Sequence, residues 1–347
     1  MTIKKQDKVF QDLQRLLESQ DFKSKEELEK FMGGLMGKPV PSFPKESLTI
    51  KEQAQNLIFE AVELPEEKGY GLALKALQMD SECIEAYEYL GALEPIPETA
   101  ILYYKNGIDI GKRVFAKTYL KDSIGNFWII HETRSFMRCM QAYADCLKDM
   151  GRYHDSVSVY EEMIRLNPND NQGVRDQLLL YLIKINESNK FRKYDKMYKE
   201  DLGAFMSFNR ALFAFKTEGL TSNSNGLLQK AIKSNKYVIP KLISKTSNAD
   251  FPEVYGIGDE NEALFYCYFS HKIWHETAGA IDWIKSKKEP VLKIVKKARK
   301  ANSDGLINCL LQPGLLCKAF ESLYEKNHLN LLNLVAPGLI LLPRQSQ

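Results

Sequence analysis

The chain has 347 residues, 44% of them hydrophobic, enough for two domains or one long repeat array with a continuous core. Lysine and arginine number 48 against 45 aspartate and glutamate, a net charge of +3, so bulk electrostatics select neither nucleic acid nor membrane. Six cysteines (Cys83, Cys139, Cys146, Cys267, Cys309, Cys317) form no CxxC pair and no dense framework, which excludes a disulfide scaffold and reads as reduced, buried thiols.

The N-terminus, MTIKKQDKVFQDLQ, is polar and lacks an apolar signal core. No run reaches the roughly 18 apolar residues of a spanning helix. A soluble, cytoplasmic protein is expected. Residues 1–20 read as an amphipathic helix with Phe10, Leu13, Leu16 and Leu17 on one side. Ser24 and Glu27 have the spacing of a capping box for a second helix, expected to end at Gly33-Gly34. The proline-rich GKPVPSFPKES reads as a linker or extended arm.

Paired helices are predicted from Thr49 onward. Residues 54–64 and 70–77 make one pair, with Ala73 and Ala76 at its crossing. Asp80 and Ser81 offer the next N-cap. Residues 84–93 and 98–110 make a second pair, and 111–128 look less regular: a helix with Arg113 and Phe115, then Gly125-Asn126-Phe127-Trp128. The clearest unit is 136–168, FMRCMQAYADCLKDMGRYHDSVSVYEEMIRLNP. Small Ala144 and Ser156 permit close helix approach, Gly151 turns the chain, Tyr160 fills the groove between the helices and Pro168 closes the unit. That combination is the pattern of a tetratricopeptide helix pair of about 34 residues. Further helices are expected over 169–185, 189–198, 202–217, 222–234 and 237–247, then an aromatic-rich helix from Glu262 to Lys272 or beyond. A basic helix over 291–301 and two apolar segments over 306–324 and 329–342 follow.

Three stretches together resemble a known family: GNFWIIHETRSFMRCMQAYADCL (125–147), RLNPNDNQGVR (165–175), and SNKYVIPKLI through GDENEALFYCYF to Trp274 and GAIDW (234–283). They are similar to the suppression of tumorigenicity 7 family and its bacterial tetratricopeptide relatives, over residues 50–285. The resemblance implies an all-helical repeat protein without established catalysis. Unlike the animal members, this chain has no spanning segment.

The expected architecture is therefore all-α: a superhelical solenoid of tetratricopeptide-like helix pairs over 46–285. An N-terminal helical cap and linker occupy 1–45, and a basic helix with an apolar capping or interaction segment occupies 286–347. In such arrays one helix of each pair lines a concave surface. The expected function is a non-catalytic scaffold binding a peptide or partner protein there. Trp128, Glu132, Arg134, Arg138, Tyr143, Arg175, Asn209, Arg210 and Phe213 are the candidate groove residues. Arg134 and Arg138, four apart, have the geometry to hold a carboxylate; the alternative is a structural ion pair with Glu132. The Asn/Asp-rich loop 167–172 reads as structural, satisfying backbone groups at the inter-repeat turn.

Other chemistries have weaker signals. Cys267, His271 and His275 lie in line at four-residue spacing. Three ligands in one straight row cannot wrap a tetrahedral ion, so His271 and His275 need ligands from elsewhere. A metal- or nucleotide-dependent enzyme using His131/Glu132 or His271/His275 is the alternative function. Lys293, Lys296, Lys297, Arg299 and Lys300 form the concentrated charge, a solvated outer face or a docking patch for an anionic surface. Nucleic acid is disfavoured, because no aromatic interleaves with these lysines. The apolar 329–342 segment caps the array or pairs with another chain. Gly33 to Lys38 superficially resembles a phosphate loop but lacks the preceding strand and the hydroxyl after the lysine. No cofactor is expected.

Overall fold

The computed structural model describes residues 5–41, 43, 47–118, 124–244, 252 and 254–287. Among them there is no strand; the architecture is an α-α solenoid of adjacent helix pairs. By contact the chain divides into two compact units, Met1–Ala278 and Gly279–Gln347. No helix among the described residues is long and apolar enough to cross a membrane.

The first pair is α3 (Ile50–Ala61) and α4 (Glu66–Met79). Thr49 and Glu52 cap α3 reciprocally, each side chain bonding the other's backbone N–H, which satisfies two otherwise orphaned donors. Ala54, Leu57, Ile58 and Ala61 then fall on one stripe and are buried. Ala73 and Ala76, both fully buried, let α4 come close to α3. The second pair is α5 (Ile84–Leu93) and α6 (Pro97–Thr118). The predicted N-cap at Asp80 or Ser81 lies too early. The Asp80 carbonyl accepts the Cys83 N–H at 3.1 Å in a separate turn, and α5 starts after Cys83. The Asp80 side chain instead accepts the Glu82 N–H at 2.9 Å.

Helix α6 runs unbroken to Thr118, joining the helix expected over 98–110 to the one expected around Arg113 and Phe115. Gly111 does not interrupt it. A Cβ there would lie 2.2 Å from Cδ2 of Phe136, so the glycine is a contact surface for the next helix. The glycine cost in helix propensity is small beside that packing.

The third pair is α7 (Arg134–Asp149), entered through a 3-10 turn at His131–Thr133, and α8 (Tyr153–Leu166). Gly151 has φ of 75°. Arg152 N–H bonds the Leu147 carbonyl at 2.8 Å and Gly151 N–H bonds Lys148 at 2.9 Å, the double closure that a left-handed residue allows at a helix end. Ala144 and Ser156 are fully buried at the crossing. Tyr160 is also buried, donates to Asp145 at 2.6 Å and stacks on Tyr181.

The array continues with α9 (Val174–Lys184) and α10 (Ser188–Met197), then α11 (Ala204–Glu218) and α12 (Ser222–Ser234). Asn186, at φ of 62°, ends α9 as Gly151 ends α7. A short α13 (Val238–Ile243) packs on α14 (Glu260–Glu276). First helices also touch one another: α3 meets α5, α5 meets α7, α9 meets α11 and α11 meets α14. They form two runs, α3–α5–α7 and α9–α11–α14; in arrays of this kind the first helices form the inner layer.

Helix α1 (Lys5–Glu18) packs on α3 and on the His131–Thr133 turn. Helix α2 (Lys25–Leu35) runs through Gly33-Gly34, where it was expected to end; neither glycine meets a neighbour within 4 Å. Ser24 accepts the Glu27 N–H at 3.2 Å, but Glu27 reaches the Lys23 N–H, so the predicted capping box closes on one side only.

Candidate partner-binding groove

The first candidates cluster at the entry to α7, with Tyr143 farther along the helix. The chain enters this helix through Trp128 and the 3-10 turn, and the Thr133 hydroxyl donates to the carbonyls of Phe127 and Ile130. Arg134 donates from Nε to the Trp128 carbonyl at 3.0 Å. Its guanidinium lies 5.8 Å from the Trp128 ring and 4.7 Å from the Phe10 ring, within cation–π range. Arg138 lies one turn on and is buried. It donates from Nε to Glu88 of α5 at 2.7 Å and from Nη1 to Asp7 of α1 at 2.8 Å. Arg134 Nη1 stands 3.6 Å from the other oxygen of Asp7, and His131 Nε2 stands 3.9 Å from it.

The carboxylate that Arg134 and Arg138 hold is thus the chain's own. Helix α1 lies along this part of the inner layer with Asp7 on the arginines and Phe10 against His131, ring centroids 6.0 Å apart. Gln14 reaches Glu132 at 2.5 Å, Gln11 reaches Gln55 at 2.7 Å and Arg15 reaches Glu52 at 3.1 Å. Glu132 therefore faces α1 and makes no ion pair with either arginine in the described contacts.

Burial governs the titration here. Desolvation pushes the Glu88 carboxyl up to about 7, against the pull of Arg138. It also lowers His131, although Asp7 and Glu132 oppose it. Arg138 loses solvation too, but Glu88 and Asp7 outweigh this and hold it firmly charged. Tyr143, farther along α7, is half-buried.

In the C-terminal half, Arg175 at the start of α9 is already committed. Its Nη2 reaches Asp201 at 2.6 Å and its Nη1 reaches Asp170 at 3.0 Å, and it lies over the Tyr198 ring. Asp170 also accepts the backbone N–H groups of Val174 and Arg175, so this loop residue closes the start of α9. Beside them Asp176 is pushed up to about 8 by burial, with Asp201, Asp170 and Glu262 adding to the shift and Arg175 opposing it.

Of the α11 candidates, Asn209 is fully buried and bridges to the Asp176 carbonyl at 3.1 Å. Arg210 binds Asp195 at 2.5 Å and the Asp201 and Tyr198 carbonyls, which staples the α10–α11 loop. Phe213 stacks face to face on Phe191 at 3.9 Å, with Arg192 over its other side at 5.2 Å. The named residues thus occupy two separate stretches of the inner layer. Asp7, Phe10, Glu88 and Asp176 complete them and were absent from the sequence-based set; the available signal was Asp7, Phe10 and Gln14 at three- and four-residue spacing on α1.

The histidines of α14 have other partners. His271 and His275 stack at 4.2 Å, and their Nε2 atoms bond the carbonyls of Ser244 and Leu242 at 2.9 Å each. Cys267 is buried against the Val238 carbonyl. Among the described residues no group of three or more His, Cys, Asp or Glu is placed to hold a metal ion. Lys293, Lys296, Lys297, Arg299 and Lys300 lie outside the described residues, as do the apolar segments over 306–324 and 329–342.

No family model matches this chain, and no curated protein does. Two chains of solved structures match. One is YrrB, whose crystal structure is described as a TPR protein with an unusual peptide-binding site. It is 19% identical over 53% of this chain and 84% of that one, with a TM-score of 0.37. The class assignment, a tetratricopeptide-like helical-repeat protein, rests on the helix packing described above.

Proposed function

We propose that this protein is a non-catalytic interaction scaffold whose inner layer takes a helical segment of a partner protein. The observation that carries this reading is α1 itself. It lies on the inner helices as a bound peptide would, with Asp7 on Arg134 and Arg138 and with Phe10 three residues on against Arg134 and His131. A partner segment with an acidic residue and an aromatic at that spacing meets the same donors and the same ring surface. The resemblance to the suppression of tumorigenicity 7 family, with no established catalysis, is in keeping with this, and we place the protein in the cytoplasm.

The test uses the full chain. A labelled peptide of residues 5–18 is titrated onto wild type and onto Asp7→Ala, whose own α1 is held less firmly. Tighter binding to the Asp7→Ala chain is expected. That binding should fall about tenfold when Asp7 in the peptide is replaced, or when Arg134→Ala is added to the chain, a loss of about 1.4 kcal/mol. A peptide that binds neither chain, or binds regardless of its aspartate, removes the reading.

A further inference from the structure

Between the first three helix pairs lies a cleft of about 300 Å³, at the small end of the range for ligand sites. Its rim carries four carboxylates, Asp80, Glu82, Glu85 and Glu132, and one ammonium, Lys51. Arg113 answers Glu82 from outside the lining at 2.6 Å. Four negative charges against two positive leave two net negative charges in this set, and Arg138, outside it, also acts on Glu85. Two of the four are held by neutral donors. Glu85, 9% exposed, accepts from Gln55 at 3.1 Å and from the Cys83 thiol; Glu132 accepts from Gln14.

A second feature of the cleft is independent of its charge. Ser135 lines it, is 2% exposed, and its Oγ has no hydrogen-bond partner. A buried hydroxyl left unmatched costs roughly 1–3 kcal/mol, so it favours any ligand bringing an N–H. Apart from Gln55, the remaining wall is apolar, formed by Ile50, Ile84, Val114 and Phe115, and suits a methylene stem rather than a compact metal ion.

We infer that this cleft binds an organic cation, an ammonium or guanidinium group on a short aliphatic chain, with Glu85 and Glu132 holding the charge and Ser135 accepting one of its N–H groups. Such a group reaches it either as a free amine or as the arginine side chain of a peptide. The chemistry is opposite in sign to that of the Arg134/Arg138 pair; the site contains neither arginine, but it shares Glu132 and Gln55 with the α1 contact through Gln14 and Gln11.

Calorimetric titration of the full chain tests this with three probes: agmatine, the blocked tripeptide Ac-Ala-Arg-Ala-NH2, and its neutral norleucine analogue. At least one cation is expected to bind, the neutral analogue not, and Glu85→Gln and Ser135→Ala each to weaken the cation about tenfold. Binding of agmatine assigns the site to free amines as well; binding of the tripeptide alone assigns it to a basic side chain. Ser135→Ala removes a hydroxyl with no partner to lose, so it remains informative if Glu85→Gln does not fold. If neither cation binds better than the norleucine peptide, or if the Ser135 variant binds like wild type, the inference is wrong. The α1-peptide experiment reads the Asp7–Arg134 contact, which lies outside this cleft, so the two outcomes are distinguishable.

Discussion

Asp7 and Arg138, 131 positions apart in the sequence, form a buried ion pair of 2.8 Å, and the same guanidinium reaches Glu88 at 2.7 Å. One arginine therefore ties three elements: α1, the inner helix α5 and the inner helix α7. Removing it strands Glu88, which already has an oxygen without a partner, and leaves Asp7 only the longer contacts to Arg134 at 3.6 Å and His131 at 3.9 Å. Arg138→Ala should cost about 3–5 kcal/mol in urea denaturation, as breaking a buried pair from one side does. Asp7→Asn should cost less, since Glu88 still answers Arg138, and its effect should be local. Hydrogen exchange is expected to rise in α1 and stay unchanged in α8 and α9. Equal losses from the two substitutions would contradict this hierarchy.

What could be read in advance follows from what repeats. The α7–α8 unit was legible because Ala144, Gly151, Ser156 and Tyr160 act on neighbours within one helix pair, and each leaves a spacing. Helix α6 reads as two pieces in the sequence, 98–110 and a helix with Arg113 and Phe115; the contact of Gly111 with Phe136, on the following helix, shows why the junction is helical. The Asp7 pairing left no such trace. It joins the first helix to the third pair, and nothing in the period of either segment encodes the distance between them. The amphipathic pattern of residues 1–20 was visible, but a cap and a groove occupant share it. Arg134 and Arg138 were singled out as carboxylate holders, while the donor of that carboxylate could not be seen. Arg175 and Arg210 looked alike in the sequence, yet both are spent on the chain's own carboxylates, Asp170 and Asp201 in the loops and Asp195 in the last turn of α10.

The buried acids make stability depend on pH. Glu88 rises from 4.5 to about 7 and Asp176 from 3.8 to about 8, in both cases chiefly through burial. The folded chain keeps a proton that the unfolded chain releases at lower pH. Their contribution is full below about pH 4 and is lost as pH rises through about 7 and 8. His131, lowered by burial, acts in the opposite sense on the acid side of its ordinary value of 6.5, so a variant isolates the effect better than the profile does. Asp176→Asn should match wild type near pH 4 and be more stable at pH 8.5 by about 1–3 kcal/mol, after allowance for partial exposure. Parallel stability curves for the two proteins between those limits would falsify the assignment.

Between α10 and α11, Phe191 and Phe213 stack at 3.9 Å with planes 10° apart, and Arg192 lies over the Phe213 ring. A guanidinium over the outer face gains from the ring's negative π surface and helps explain so close a stack. Replacing each phenylalanine by leucine, singly and together, should give a coupling of about 0.5–1.5 kcal/mol beyond the separate losses. Arg192→Ala should shrink that coupling. An additive double variant would mean that the two rings contribute only by area.

The contact between α6 and α7 can be tested by adding a single carbon. Gly111 lies under the Phe136 ring, and a Cβ placed there would meet Cδ2 at 2.2 Å, Cγ at 2.8 Å and the Phe136 Cβ at 3.1 Å. Phe136 is itself held on both sides, by Phe115 at 5.9 Å and Phe127 at 6.2 Å, so it cannot rotate away cheaply. Helix propensity alone would make Gly111→Ala stabilising by up to about 1 kcal/mol. Overpacking of this size costs about 1–3 kcal/mol, and the backbone of α7 would have to retreat from α6. A net loss of stability is expected, with thermal unfolding at a lower temperature. Phe136→Leu placed in the Gly111→Ala background should restore part of it, because the shorter side chain vacates the space that the new methyl needs. A Gly111→Ala protein more stable than wild type would show that α7 stands farther from α6 than these distances state.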